Sequence, residues 1–306
     1  MSEQKFDVLV AGEINPDLVL SGNVRPEFGQ VEKIVDNAAL TIGSSSAIFA
    51  CGAARLGLSV AFVGKCGNDP FGRFMLEEMQ KRHVDVSNVL VDNARSTGLS
   101  VILTDGADRA ILTFPGLIAS MSADELPDML LHKARHLHIA SYFLQKALQP
   151  GLQGLFQRAQ SMGLTTSLDP NYDPSERWAG VEGLLAYTSV FLPNEVEARS
   201  ITHASSLEGA ADSLRSKAQI TAIKMGGSGA IAIEGMRTVK ADAVAVEVAD
   251  TVGAGDSFDA GFIYGFLHKW SLEASLRLAC VCGSLSTRTA GGTNAQPTFE
   301  EAQRYA

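Results

Sequence analysis

Short apolar runs rich in β-forming residues alternate with segments of helical spacing along nearly the whole chain. Residues 6–11 (FDVLVA) predict a buried strand. Residues 44–56 carry Ile48, Phe49, Gly52, Ala53 and Leu56 at helical spacing and stop at Gly57, a residue suited to the position just past a helix. The same pattern predicts strands at 60–64, 137–140, 164–168, 190–192, 220–225 and 230–233, and helices at 72–82 and 152–162. Strands alternating with helices pack as a parallel sheet covered on both faces. Residues 18–35 and 97–114 depart from this rhythm, with a period of two and no intervening helix. In the second, Leu99, Val101 and Leu103 alternate with Ser100, Ile102 and Thr104, and a turn at Asp105-Gly106-Ala107-Asp108 leads to a return strand at 109–114. Such stretches predict antiparallel ribbons with one wet face, projecting as a lid over a ligand cleft. The expectation is an α/β fold of three layers, with a mainly parallel central sheet between helices and a small antiparallel β lid. It spans residues 1–306 as a single domain, with lid segments at about 14–38 and 95–117.

Composition narrows the partners. Of 306 residues, 25 are Lys or Arg and 34 Asp or Glu, a formal charge of -9, which lacks the basic footprint of nucleic-acid or anionic-membrane binding. An anionic ligand must then be held by local devices such as backbone amides, a metal ion or one or two lysines. The start, MSEQKFDVLVAGEIN, has no basic segment leading into a long apolar run, and no stretch has the length of a membrane span, so a cytoplasmic protein is expected. Cys51, Cys66, Cys280 and Cys282 form no CxxC pair and read as buried free thiols. His132, His136 and His138 have no carboxylate or cysteine at chelating spacing and read as ordinary strand and helix-end histidines.

The densest chemistry lies in residues 244–267, VAVEVADTVGAGDSFDAGFIYGFL. Strand-like alternation at Val244, Val246 and Val248 passes through Gly253-Ala254-Gly255 into a helix with a stripe of Phe258, Gly261, Phe262, Gly265 and Phe266. Glycines at a helix start allow close backbone approach, and the first helical amides with the dipole suit a phosphate. Asp256 in that first turn can act as a base for an attacking hydroxyl or merely cap the helix. Asn15 and Asp17 follow the first strand and suit a vicinal diol, or form an Asn-Pro-Asp turn. Asn194 and Glu197 offer hard oxygens for Mg²⁺ or form a capping box. Lys224 can neutralise a phosphate or lie on the surface, and 226–229 is a glycine turn of low specificity. There is no GxxxxGK[ST] segment and no GxGxxG after the first strand.

DTVGAGDSFDAGF resembles the C-terminal signature of the ribokinase-like (PfkB) carbohydrate kinases, close to DTTGAGDxFxxGF, with only Val252 differing noticeably. Five further pieces fall in the family's order over about 250 residues. Residues 12–17 (GEINPD) resemble the opening GxxxxD element, residues 64–72 (GKCGNDPFG) the GxxGxDxFG stretch, and Asp169-Pro170-Asn171 the DxN element. Asn194-Glu195-Val196-Glu197 is similar to the NxxE motif, and residues 225–230 (MGGSGA) to the strand–glycine turn over the nucleotide phosphates.

The resemblance implies a ribokinase-like fold and ATP-dependent phosphoryl transfer to a sugar or polyol hydroxyl. Asp256 would act as base, and the amides of Gly253, Ala254 and Gly255 as anion hole. Asn15, Asp17, Gly43, Ser44 and Asn171 would bind the acceptor. Asn194, Lys224, Gly226, Gly227, Gly229, Thr251, Cys280 and Gly283 would surround ATP, with Mg²⁺ held through water by Asn194 and Glu197. Asp250 would contribute to a monovalent-cation site of the K⁺ type, and the family includes homodimers paired through their lids. Three departures bear on the acceptor. The usual GGxxxN reads Ile42-Gly43-Ser44-Ser45-Ser46-Ala47, the lid ends in Pro115-Gly116-Leu117-Ile118 instead of Pro-Gly-Ala-Asn, and Asp173 stands where sugar-acid kinases carry Arg. A carboxylate in place of a guanidinium removes a clamp for acids, so a neutral sugar or related polyol is expected. A nucleoside kinase of the same family and a catalytically silent sugar- or nucleotide-binding protein remain alternatives.

Overall fold

The computed structural model describes residues 5–105 and 108–305; Gly106 and Ala107 of the expected lid turn lie outside the described residues. In chain order the strands are β1 (Phe6–Ala11), β2 (Pro16–Ser21), β3 (Asn37–Ile42), β4 (Val60–Val63), β5 (Lys65–Gly67), β6 (Val84–Asp85), β7 (Leu90–Asp92) and β8 (Leu99–Asp105). They continue with β9 (Asp108–Phe114), β10 (Ala134–Ile139), β11 (Thr165–Leu168), β12 (Val190–Phe191), β13 (Ile220–Lys224), β14 (Ala230–Glu234) and β15 (Arg237–Ala241). The α-helices are α1 (Ser45–Arg55), α2 (Pro70–Lys81), α3 (Asp128–Leu131), α4 (Gln149–Ser161), α5 (Glu182–Leu185), α6 (Glu195–Thr202), α7 (Leu207–Leu214), α8 (Ala254–Leu267), α9 (Leu272–Ser286) and α10 (Phe299–Ala302).

Nine strands form the central sheet in the order β15-β14-β13-β12-β11-β10-β1-β4-β6. It is parallel from β6 to β13 and antiparallel at β14 and β15. Alternation along β1 divides the core. Val8 and Val10 join an apolar cluster with α1, α8 and α9, while Leu9 and Ala11 join a second with α4, α6 and α7 on the opposite face. Three layers result. Helices α8 and α9 pack closely because α8 carries glycines where they meet: a Cβ at Gly261 would lie 3.0 Å from the Ala279 Cα, and one at Gly265 2.6 Å from the Ser275 hydroxyl. His136 and His138 sit inside β10, hydrogen-bonded to Thr165 and Ser167 at 2.7 Å, and burial pushes both imidazoles far below their usual range. All four cysteines are buried free thiols.

The lid is a four-stranded sheet, β3-β2-β8-β9. Each hairpin is antiparallel as expected, but β2 and β8 run parallel, so a parallel seam joins the two. The first ribbon differs from its expected bounds. Residues 22–36 form no strand, and the return strand is β3 at 37–42, past the expected limit of 38. Val31 and Ile34 in that stretch are exposed. The strand expected at 244–248 is also absent. That segment runs past β15 without a neighbouring strand: the Val244 amide donates to the Ser284 hydroxyl, and the Ala249 and Asp250 amides both donate to the Thr287 carbonyl. Helix α8 therefore follows a coil held by α9, not a strand. No helix among the described residues is long and apolar enough to cross a membrane.

Candidate active site

The start of α8 is built for glycine. Gly253 is its N-cap with φ +72°, and a Cβ there would fall 2.8 Å from the Gly292 Cα and 2.9 Å from Ile48. The chain thus turns sharply into α8 against the 291–292 turn, which only a residue without a side chain permits. Ala254 and Gly255 then line a cavity of about 480 Å³ together with Lys224, Gly226, Gly227, Gly229, Thr251, Cys280 and Gly283. Val244, Val246 and Val248 form part of its apolar wall. A Cβ at Gly226 or Gly227 would meet nothing within 4 Å, so the backbone faces open space there. The Ala254 amide is turned back onto the Thr251 carbonyl at 3.3 Å, which leaves the amides of Gly253 and Gly255 better placed for an anion.

Lys224, at the end of β13, is not a surface residue: 12% of its side chain is exposed. Its ammonium donates to Asp169 at 2.8 Å and to both oxygens of Asp259 at 3.1 and 3.2 Å. Burial alone would lower the lysine's pKa, but Asp169, Asp259 and Glu197 outweigh it and hold the ammonium above its usual range. One carboxylate oxygen from each of Asp169, Asp256 and Asp259 lies within 4.8 Å of the others, beside the ammonium that Asp169 and Asp259 bind. Burial, then the Asp169 charge, pushes Asp256 well above the usual carboxylate range, and Glu13 adds to this; Lys224 and Ser45 pull the other way.

The acceptor-side candidates meet the nucleotide side at the start of α1. Asn15 and Asp17 are buried, and the Asn15 amide donates to Asp17 Oδ1 and Ser100 Oγ, each at 3.4 Å. Ser100 and Thr113 hydroxyls lie 3.1 Å apart, which brings β8 and β9 of the lid into the same polar row. A Cβ at Gly43 would fall 2.2 Å from Asp17 Oδ1, so this glycine lets the entry to α1 lie on the aspartate. Burial pushes Asp17 up to about 7 against the pull of Arg109, and Asp250 adds to the rise. Ser44 caps α1 and donates to the Glu13 carbonyl at 2.6 Å, and Ser45, the next residue, lies against the Asp256 carboxylate. Asn171 has both amide atoms engaged: Oδ1 accepts from the Ser141 amide at 2.7 Å, and Nδ2 donates to Ser45 Oγ at 3.1 Å.

Asn194 and Glu197 form the capping box of α6, with the Glu197 oxygens accepting from the Asn194 amide at 2.8 Å and its side chain at 2.7 Å. Burial and Asp169 push Glu197 up to about 7. Four buried carboxylates, Glu197, Asp169, Asp256 and Asp259, face a single buried ammonium, and this excess of hard oxygens fits Mg²⁺. Because Asn194 already occupies both Glu197 oxygens, the pair fits an ion held through water better than one held directly. The Asp250 oxygens accept from the Val252 amide at 3.0 Å and the Gly291 amide at 2.9 Å, which clamps the glycine turn behind α8. One carboxylate so engaged does not make a monovalent-cation site by itself. Asp173 is turned away from any acceptor: it accepts from Ser175, Arg177 and Trp178 of its own loop.

Several residues here escape sequence reasoning. Asp259 carried a signal, since it lies one turn beyond Asp256 on the same helix. Asp169 stood beside Asn171, and Glu13 was an acid directly after a buried strand. Ser45 and Ser141 carried none.

A family model described as pfkB family carbohydrate kinase matches residues 6–299. The chain belongs to this family. It is 30% identical over 290 residues to a 2-dehydro-3-deoxygluconokinase from Bacillus subtilis, a match covering 90% of this chain and 89% of that one. An uncharacterized sugar kinase from Archaeoglobus fulgidus is 31% identical over 228 residues, covering 74% of this chain and 90% of the relative. A fructokinase from Salmonella typhimurium is 29% identical over 283 residues, covering 86% and 91%. A putative ribokinase II from E. coli, solved with ATP and Mg²⁺, shares the fold with a TM-score of 0.88 at 21% identity, covering 98% of each chain. As a member of this family the kinase is a phosphotransferase acting on an alcohol group.

Proposed function

We propose that the kinase transfers the γ-phosphoryl group of ATP to a hydroxyl of a neutral sugar or related polyol. The observation that carries this is the start of α1: Gly43 rests on Asp17, while Ser45, two residues on, touches both Asn171 and Asp256. Acceptor-side and nucleotide-side groups thus share one short segment. The 480 Å³ cavity beside Ala254 and Gly255 would take ATP, with its base between Cys280, Gly283 and the valines of 244–248 and its phosphates over Gly226, Gly227 and Gly229. Asn15, Asp17, Gly43 and Ser44 would hold the acceptor with Ser100, and Asn171 would act at its inner edge. The side chains that build this wall are neutral or acidic; Arg109, exposed on β9, is the cation that reaches Asp17. That balance favours an uncharged acceptor, and it does so without Asp173, whose carboxylate is spent on its own loop.

Asp256 would take the proton of the acceptor hydroxyl as its oxygen bonds to the γ-phosphorus. The bond from that phosphorus to the bridging oxygen breaks, and ADP leaves with the electron pair. The amides of Gly253 and Gly255 at the α8 N-terminus favour the charge gathered on the transferring group. Lys224, positive and fixed by two aspartates in the cavity wall, stands ready to meet phosphate oxygens. Asn194 and Glu197 would hold Mg²⁺ brought with ATP through water, and the ion would supply the remaining positive charge. The lid sheet would exclude water, which competes as acceptor. Edge strand β9 exposes Leu112 and Phe114 on one face and Ile111 on the other, apolar surface that fits pairing with the lid of a second copy.

The test is ADP release with a panel of sugars, polyols, sugar acids and nucleosides. One or more neutral sugars or polyols should give the highest kcat/KM. Asp256→Asn should lower kcat about 10²-fold to 10⁴-fold with ATP affinity little changed. Preference for a sugar acid, or an active Asp256→Asn, would overturn this reading.

A further inference from the structure

A buried carboxylate outside the residues so far assigned to chemistry organises the floor of the site. Glu13 is 2% exposed and follows β1. Its Oε1 accepts from the Ser46 amide at 3.2 Å and Ser141 Oγ at 2.9 Å, its Oε2 accepts from Ser46 Oγ at 2.6 Å, and Ser44 Oγ, whose proton goes to the Glu13 carbonyl, lies 3.1 Å from Oε1. A carboxylate only accepts, so the Ser46 and Ser141 hydroxyl protons point towards it. Ser141 therefore spends its hydroxyl proton on Glu13 and its backbone amide on Asn171 Oδ1. A backbone N–H donates without ambiguity, which fixes the Asn171 amide with Nδ2 towards Ser45. Ser45 then receives a hydrogen bond at its oxygen and keeps one proton to give. The carboxylate beside it is Asp256.

A second observation concerns the backbone. Ser44, Ser141 and Asn171 all adopt left-handed conformations, with φ of 68°, 53° and 52°. They come from the ends of three different strands or helices and belong to one hydrogen-bonded network. Non-glycine residues hold such conformations where the surroundings over-determine them, typically at functional sites.

We propose that Ser45 is a positioning residue for phosphoryl transfer, and that Glu13, Ser141 and Asn171 fix its hydroxyl so that it donates to Asp256 and aims that carboxylate at the acceptor. This inference rests on the reading of Asp256 as the base. The charged groups facing Asp256 are Asp169 beyond β11, Lys224 at the end of β13, Glu13 beyond β1, and Asp259 on its own helix. Loss of the Ser45 hydroxyl removes the donor that this network orients beside Asp256.

The experiment compares wild type, Ser45→Ala, Ser45→Thr and Ser141→Ala by steady-state kinetics across pH, using the best acceptor from the panel. Ser45→Ala should lose about 10-fold to 100-fold in kcat, the scale of a misaimed catalytic group, with the KM for ATP unchanged within about two-fold. Ser45→Thr, which restores the hydroxyl, should recover most of the loss, and Ser141→Ala should show the same loss of kcat at smaller size. An unchanged kcat in Ser45→Ala, or equal losses in the Ala and Thr variants, would overturn the inference while leaving an active kinase. An inert wild type would instead strike the reading of Asp256 itself.

Discussion

The two walls of the cleft are made of different material. On the proposed nucleotide side the chain offers bare backbone: Gly226 and Gly227 face open space, Gly253 has no room for a Cβ, and apart from Lys224 the cavity wall is mostly small or apolar. On the proposed acceptor side the wall is a mesh of side chains in which Glu13, Asn15, Asp17, Ser44, Ser45, Ser141 and Asn171 each hydrogen-bond or touch another member. Backbone recognition of phosphate tolerates few substitutions, because a Cβ either collides or forces a conformation that only glycine holds cheaply. Side-chain recognition of hydroxyls has many equivalent solutions, so this wall is where relatives acting on different sugars can diverge.

Lys224, where the walls join, gives the largest expected break. Lys224→Met would leave Asp169 and Asp259 buried without a cation, at a cost of about 3–5 kcal/mol in stability. The loss has a predictable pH dependence. Burial already pushes Asp259 well above the usual carboxylate range, and without the ammonium the folded state would hold carboxyl protons that the unfolded chain loses near pH 4. Stability of the variant should therefore fall as pH rises above that value, so urea unfolding should show a wider gap from wild type at pH 8 than at pH 6. A constant gap would mean that the acids do not depend on Lys224. Gly253→Ala tests the bare wall directly. It imposes a strained φ and a 2.8 Å contact with Gly292, costing about 1–3 kcal/mol and disturbing the anion-binding amides. Gly255→Ala is its control, since a Cβ there would meet Lys224 at an ordinary 3.6 Å. Thermal unfolding should separate the two; equal effects would mean that backbone geometry at 253 is not the constraint.

The same contrast explains what the sequence revealed. The alternation of strands and helices was legible because burial on both sheet faces writes apolar runs, and β1, α1 and β11 lie within a residue or two of their expected limits. The strand expected at 244–248 failed because its valines alternate for another reason: they line a cavity against α9 and have no strand to pair with. Residues 22–36 failed similarly, since alternation says nothing about whether a partner strand is present. In the site, the glycines around 253 were legible because they are irreplaceable locally. Lys224 was a candidate, but its burial and its pairing with Asp259 were not legible, because they depend on β13, β11 and α8 meeting in space. Glu13 and Ser141 are 128 residues apart, and no local pattern links them.

The mildest expected effect concerns the acceptor wall. Asp17 is pushed up to about 7 by burial, whereas the same carboxyl in the unfolded chain titrates near 3.9. Between those values the folded protein holds a proton that the unfolded chain has released, so this residue makes stability fall as pH rises through the window. A sugar hydroxyl needs the opposite state, because only the anion offers both oxygens as acceptors. Acceptor KM should therefore fall as pH rises from 6 to 8, while the KM for ATP, whose cavity lies on the other wall, stays level. Asp17→Asn keeps the shape of the side chain and discards the charge. It should raise acceptor KM about 10-fold, in keeping with the loss of a charged hydrogen bond, and flatten the pH dependence. A variant that raised both KM values together would place Asp17 in the shared frame of the cleft and not on its acceptor wall. That outcome would erase the distinction between the two walls, because the Gly43 contact would then transmit the change straight into α1 and from there to Asp256.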